Sequence, residues 1–249
     1  MLKLRYITGL FGIISSSSLP QPLFITLALI GALICILAPY LLGSMNFAII
    51  ISKTKYKSDI RNYGSGNAGM TNMMRTFGKS AAAMTLLGDA LKAIVSGLIG
   101  YLIMGYYGAY IAGLFCILGH MFPVYYKFKG GKGVVTAYAS ILVCDPIVFL
   151  ILIAIFVIIV FFTKYISLGS VMCMLLYPVM LDRLHKLFYG ATGMYVIVAL
   201  FNAALIIFMH RENIKRLLAG KENKFSFKKS VKAEDIAAEK KNEQTEEIK

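Results

Sequence analysis

The sequence predicts an all-α fold, a polytopic integral membrane helical bundle of about seven transmembrane helices. Three observations carry that expectation. Of the 249 residues, 58% are hydrophobic, more than a soluble domain of this size carries. Apolar runs recur along most of the chain, many near the roughly 20 residues a helix needs to cross the hydrocarbon core. The cations that give a formal net charge of +14 lie in short segments between those runs. That distribution fits basic loops retained on one side of a membrane and attracted to anionic lipid heads. It argues against nucleic acid as a partner, because base readout needs a basic face on a soluble module.

Residues 1–22 read as an N-terminal extension, 23–225 as one membrane-embedded domain, and 226–249 as a charged tail, solvated as helix or disordered. The extension has a basic start, Lys3 and Arg5, but a short apolar patch and no clear small-residue cleavage site, so it is read as lying along the interface. Spans are expected at about 23–52, 80–104, 109–126, 134–144, 147–163, 167–181 and 190–209. Pro39 is able to kink the first. The fourth is too short to cross alone unless its border is re-entrant or packed in protein. Asp145-Pro146 marks the turn after it. Cys35, Cys116, Cys144 and Cys173 lie in or at the end of apolar runs without metal spacing, and read as buried free thiols.

Lys and Arg alternate between the loops. Lys53, Lys55, Lys57, Arg61, Arg75 and Lys79 crowd the first, and Lys127, Lys129 and Lys132 the third; the second and fourth hold none. The positive-inside rule therefore puts loops one, three and five and the C-terminus in the cytoplasm.

Three polar segments fall on that same side. In DIRNYGSGNAGMTNMMRTFG, residues 59–78, Gly64, Gly66 and Gly69 allow close approach of a ligand to the backbone. Ser65, Asn67, Thr71 and Asn72 add neutral donors, and Arg75 offers a two-pronged grip on phosphate oxygens. The same pattern also suits an ordinary glycine-rich turn, and with no strand before it a dinucleotide fold is excluded. In GHMFPVYYKFKGGKGVVT, residues 119–136, Gly130, Gly131 and Gly133 bracket Lys132 just before an apolar helix, whose N-terminus attracts anions. His120 in this segment reads as a structural hydrogen-bonding group or a catalyst. In HRENIKRLLAGKENK, residues 210–224, His210 and Asn213 share one helix face, while Arg211, Lys215 and Arg216 are interfacial anchors by default. Glu222 has a loop cation as its expected partner. Asp89 and Lys92, inside the second span, pair with one another or face a polar cavity. Ser167 and Ser170 in YISLGS either cap the sixth span or bind phosphate.

These segments resemble the three signature motifs of the bacterial acyl-phosphate:glycerol-3-phosphate acyltransferases: GSGNAGMTNMMRTFGK, GHMFPVYYKFKGGKGVVTA and HRENIKRLLAGKE, with YLLGSMNFAIIISK, GDALKAIVSG and YISLGS matching in order. The resemblance covers residues 38–225. Asn46 stands where the family usually has proline, Met70 where a small residue is common, and Val135 where alanine is usual. The resemblance implies transfer of a fatty acyl group from acyl phosphate to the 1-hydroxyl of glycerol 3-phosphate in the cytoplasmic membrane, facing the cytoplasm, with membrane lipids around it and no cofactor or metal. It implies Ser65, Arg75 and Lys132 as phosphate-holding groups, and His120, His210 and Asn213 as groups orienting hydroxyl and carbonyl. The substrate-binding set it implies is Gly64, Gly66, Asn67, Thr71, Asn72, Lys129, Gly130, Gly131, Gly133, Ser167 and Ser170. The hydroxyl proton goes to a histidine or to the donor phosphate; the residues leave that choice open. A transporter for a phosphorylated metabolite is the alternative from another class, but it would place its binding groups near the midplane between internal repeats, and none is visible.

Overall fold

A computed structural model describes residues 9, 10, 12, 19–190 and 193–225. The expected tail, 226–249, and most of the expected N-terminal extension lie outside these residues. The described residues form helices and connecting turns, with no strand. In chain order they are α1 (Gln21–Ser44), α2 (Phe47–Lys55), α3 (Met70–Phe77), α4 (Lys79–Met121), α5 (Val134–Cys144), α6 (Pro146–Thr163), α7 (Ile166–Tyr189), α8 (Tyr195–Met209) and α9 (Arg211–Leu218). Short 3-10 turns sit at Ile60–Asn62 and Val124–Tyr126. The chain divides into two compact units, one of Asn46–Gly88 and one that joins the segment ending at Met45 to Asp89–Phe225.

In the larger unit, α4 is not one rod. A straight 43-residue helix would run about 64 Å, twice the hydrocarbon thickness. Met104 and Gly105 leave helical geometry, Gly105 with φ +62, and the chain folds back on itself. The two arms touch backbone to backbone: a Cβ on Gly100 would sit 2.2 Å from the Gly108 carbonyl oxygen. Small residues make the same close approach between α1 and the second arm, where a Cβ on Gly119 would lie 2.2 Å from the Tyr40 carbonyl. Such contacts are how helices pack where lipid removes the hydrophobic incentive between them.

The second arm, α5, α6, α7 and α8 enclose a core built on Ile117, Leu152, Met174, Leu181 and Ile206. On the outside, α1 and α6 present Leu29, Leu33, Phe161 and Phe162 to their surroundings. Exposed large apolar side chains along whole helices are what a lipid solvent permits and water does not.

Among the described residues, four helices are long and apolar enough to cross a membrane, or five if the pair α8 and α9, bent by 60°, forms one span. The sequence reading of about seven counted the arms of α4 separately and counted α5. At 11 residues, about 16 Å, α5 cannot cross alone. All four cysteines are buried and free.

Candidate active site

In the unit Asn46–Gly88, one buried amide organises the glycine loop. The Ser65 N–H donates to Asn72 Oδ1 at 3.0 Å, while Asn72 Nδ2 donates to the carbonyls of Tyr63 at 2.9 Å and Ile60 at 3.3 Å. Asn72 thus has its amide engaged with the loop backbone and shapes Gly64–Gly66. Gly64 and Gly66 both take positive φ, +59 and +69. Asn46 closes the other side of the loop. It caps α2 by accepting from the Ile49 N–H at 3.1 Å and donates to the Ala68 carbonyl at 3.1 Å. A proline in its place would make neither bond.

Below the loop, Asp59 accepts from Arg61 Nε at 3.0 Å and Nη2 at 2.7 Å, with Lys53 3.4 Å away. The Arg61 guanidinium holds the Asp59 carboxyl down at about 2, against the opposing effect of burial. What the loop leaves exposed is Gly64, Ser65 and Gly66. Asn67 is half-buried and stands at the approach to α3. Gly69 is the N-cap of α3 and no side chain caps that helix. Thr71 and Arg75, half-buried, stand four apart on one face of it.

In the larger unit, Lys132 Nζ donates to Asn213 Oδ1, and Asn213 Nδ2 donates to Glu222 Oε1 at 2.7 Å. Ser167 donates to the same oxygen at 3.0 Å, and Arg216 Nε donates to Glu222 Oε2 at 2.7 Å. Burial would raise the Glu222 pKa, but the bonds from Asn213, Arg216 and Ser167 outweigh it and hold the group below its ordinary value. Arg216, read from sequence as an anchor, is therefore an inward partner of Glu222. Nothing in its Lys- and Arg-rich neighbourhood distinguished it.

Lys132 stands just before α5, whose N-cap Gly133 has φ +78 and carries no capping side chain. A Cβ there would meet Met121 Cε at 2.7 Å. Gly130 and Gly131 donate their N–H groups to the carbonyls of Met121 at 3.2 Å and His120 at 3.1 Å, so they satisfy the C-terminal end of α4. The Lys132 ammonium is held by Asn213, and no side chain caps the first-turn N–H groups of α5. Lys129, further back in the turn, is exposed.

His210 closes α8, buried, its Nδ1 bonded to the Ile206 carbonyl at 2.7 Å. A carbonyl only accepts, so Nδ1 carries the proton and Nε2 keeps a lone pair. His120 is buried elsewhere, among Lys92 Nζ at 2.9 Å and Asp89 Oδ1 at 3.4 Å. Lys92 also pairs with Asp89 at 2.7 Å and donates to the carbonyls of Gly43 and Met45 at 2.9 Å each. Of the two readings of Asp89 and Lys92, the ion pair is the one seen. It ties both arms of α4 to the end of α1. Ser170 donates to its own helix at Ile166, 2.9 Å, and Tyr165 is the uncapped N-cap of α7, so neither serine caps it.

The fold and these donor clusters define a helical membrane protein with basic, glycine-delimited helix starts suited to anions. The model of the family described as glycerol-3-phosphate acyltransferase matches residues 33–220. A glycerol-3-phosphate acyltransferase of Thermoanaerobacter pseudethanolicus is 43% identical over 201 residues, covering 81% of this chain and 99% of the relative. One from Finegoldia magna is 41% identical over 186 residues, covering 74% and 91%. Among solved structures, PlsY, an integral membrane glycerol 3-phosphate acyltransferase in its glycerol 3-phosphate form, superposes with a TM-score of 0.72 at 36% identity, covering 78% of this chain and 96% of that one. Its lysophosphatidic acid form gives 0.69 at 35%, covering 79% and 96%. The chain belongs to the glycerol-3-phosphate acyltransferase family, and it is an integral membrane acyltransferase.

Proposed function

We propose that the protein transfers a fatty acyl group from acyl phosphate to the 1-hydroxyl of sn-glycerol 3-phosphate. The products are lysophosphatidic acid and inorganic phosphate, in the first step of phospholipid synthesis. The observation that carries this reading is the pairing of two uncapped, glycine-started helices with a cation each: Arg75 on α3 and Lys132 before α5. Both substrates carry a phosphate, and each helix start is a donor set for one. The two forms of the similar PlsY, one with glycerol 3-phosphate and one with lysophosphatidic acid, support a substrate and a product of this kind.

Acyl phosphate is a mixed anhydride, already activated. The glycerol hydroxyl oxygen attacks the acyl carbon, the carbon–oxygen bond to phosphate breaks, and phosphate leaves with the electron pair. The work for the protein is positioning and charge stabilisation. Lys132 would neutralise charge on the departing phosphate, with Asn213 fixing its ammonium and Glu222 fixing Asn213 in turn. Ser65, Asn67, Thr71 and Arg75 would hold a phosphate at the other loop. The proton goes to the leaving phosphate or to His210 Nε2, the two acceptors this chemistry offers.

The positive-inside pattern supports a multi-pass protein of the bacterial cytoplasmic membrane with the basic loops toward the cytoplasm. The test is purified protein given palmitoyl phosphate and glycerol 3-phosphate without divalent metal. Lysophosphatidic acid forms with the wild type and falls by about a hundredfold or more with Lys132→Ala. Equal output from both proteins sinks the reading, and acyl-CoA as donor in parallel identifies the acyl source.

A further inference from the structure

Polar chemistry also gathers at the end of α5 remote from Lys132. Asp145 is both the last cap of α5 and the N-cap of α6. Its Oδ2 accepts from the Tyr110 hydroxyl, and its Oδ1 lies 2.7 Å from His185 Nε2. His185 Nδ1 meets the Tyr195 hydroxyl at 2.7 Å, and Tyr195 stacks on Tyr110 with ring centroids 5.4 Å apart. This node joins the second arm of α4, the α5–α6 turn, α7 and α8. None of its residues takes part in the acyl transfer proposed above. The length of α8, 15 residues or about 22 Å, separates Tyr195 from His210.

The node is satisfied in hydrogen bonds, and its one carboxylate is Asp145. Both ring nitrogens of His185 are engaged, Nε2 with Asp145 and Nδ1 with the Tyr195 hydroxyl. Among the described residues, His185 is the sole ion-pair partner of Asp145. Arg183 and Lys186, on the same helix as His185, lie instead against Asp182, at 4.0 and 2.9 Å. The helix dipoles do not help, since α5 ends and α6 begins at Asp145 and their opposite poles offset one another. A carboxylate 13% exposed, with one imidazole as its ion-pair partner, keeps accepting lone pairs for a further cation.

Next to that carboxylate is a cavity of about 210 Å³, room for far more than one water. Tyr106, Phe188 and Tyr189 wall it with aromatic rings, and Leu184, Ile147 and Val148 complete the apolar side. At the rim, Ile147 and Phe188 are exposed, and Leu150 continues the apolar track along α6. A carboxylate inside an aromatic wall is the chemistry that recognises an alkylammonium group. An anionic head would be repelled from it.

We propose that this cavity binds the ammonium head of a membrane amphiphile, its charge on Asp145 and its tail along α6. The site is separate from the acyl-transfer residues and does not depend on the reading given to them. Native mass spectrometry of the full-length protein, with dioleoyl phosphatidylethanolamine and dioleoyl phosphatidylglycerol as probes, tests it. The wild type retains the ethanolamine lipid about tenfold more tightly. Asp145→Asn removes that preference. Ile147→Trp fills the mouth without touching the polar node, and it removes the preference too while leaving acyl transfer unchanged. Equal retention of the two lipids by the wild type overturns the proposal, as does a preference that survives Ile147→Trp. Should Asp145→Asn unfold, the tryptophan variant decides alone.

Discussion

Glu222→Gln is the substitution that most directly tests how the Lys132 cluster works. The wild-type carboxylate accepts three bonds, from Asn213 at 2.7 Å and Ser167 at 3.0 Å on one oxygen and from Arg216 at 2.7 Å on the other. A glutamine keeps the shape but offers one acceptor oxygen. If that oxygen stays with Asn213 and Ser167, its NH2 faces the Arg216 N–H, donor against donor. A charge-assisted bond contributes about 1.5–3 kcal/mol. Arg216 is 38% exposed and recovers part of its solvation, so about 1–2 kcal/mol is the expected loss. The loss falls on the group that orients Asn213, and through it Lys132. If about 1.4 kcal/mol of it reaches the transition state, kcat/KM falls about tenfold. Acyl transfer from palmitoyl phosphate is the assay, with thermal unfolding measured alongside. The sign of the pH effect follows from the depressed Glu222 pKa. Its stabilisation is fully present above the unfolded value of 4.5 and is lost as pH falls through the lower folded value. The glutamine variant lacks this acid-side loss. A variant with unchanged kcat/KM and unchanged unfolding would show that Glu222 positions nothing.

Two further predictions concern the smaller unit. Asn72→Ala removes three hydrogen bonds, but the carbonyls of Ile60 and Tyr63 keep the N–H groups of Tyr63 and Gly66, so the loss falls mainly on the Ser65 N–H; stability falls by about 1–2 kcal/mol, read by thermal unfolding, and activity falls with it. Asp59 has its pKa lowered from 3.8 to about 2, so its contribution is complete above pH 3.8 and is lost as pH falls toward 2. Asp59→Asn flattens that acid limb in a pH-dependent unfolding series; an unchanged limb would refute the Arg61 pairing.

Much of this protein is legible in its sequence because a bilayer leaves few options. Apolar runs must be helices, and cations must sit between them. The break at Met104 and Gly105 falls where the expected second span ends, and α5 has the 11 residues expected of it; what hydropathy leaves open is how many of these runs cross. The glycine motifs mark the candidate loops but not which of their N–H groups are already bonded. Gly130 and Gly131 look like an anion cradle in one dimension, yet both donate to the end of α4. Asn72 reads as a neutral donor in the sequence, and its three backbone partners show only in the fold. The node of Tyr110, Asp145, His185 and Tyr195 left no local signal, since its members lie up to 85 positions apart on four elements.

What the helix ends leave unsatisfied narrows the candidate anion-binding groups further than glycine content does. The carbonyls of Gly43 and Met45 around the end of α1 are met by Lys92, and those of His120 and Met121 at the end of α4 by two glycine N–H groups. The start of α2 is met by Asn46, while α1 and α6 begin with proline. Gly69 and Gly133 are the N-caps of α3 and α5, and no side chain caps either helix. A serine at position 69 would supply the missing cap. Gly69 has φ −161, which any residue adopts, and the nearest atom to an added Cβ is Asn67 Nδ2 at 3.0 Å, a flexible side-chain end that must yield slightly. Gly69→Ser should therefore stabilise α3 by a few tenths of a kcal/mol. If the free N–H groups of α3 bind phosphate, the serine hydroxyl competes for them, and KM for the phosphate substrate held there rises by about tenfold while the unfolding temperature does not fall. A generic surface helix would gain the stability and leave KM alone, and that result would remove α3 from the site.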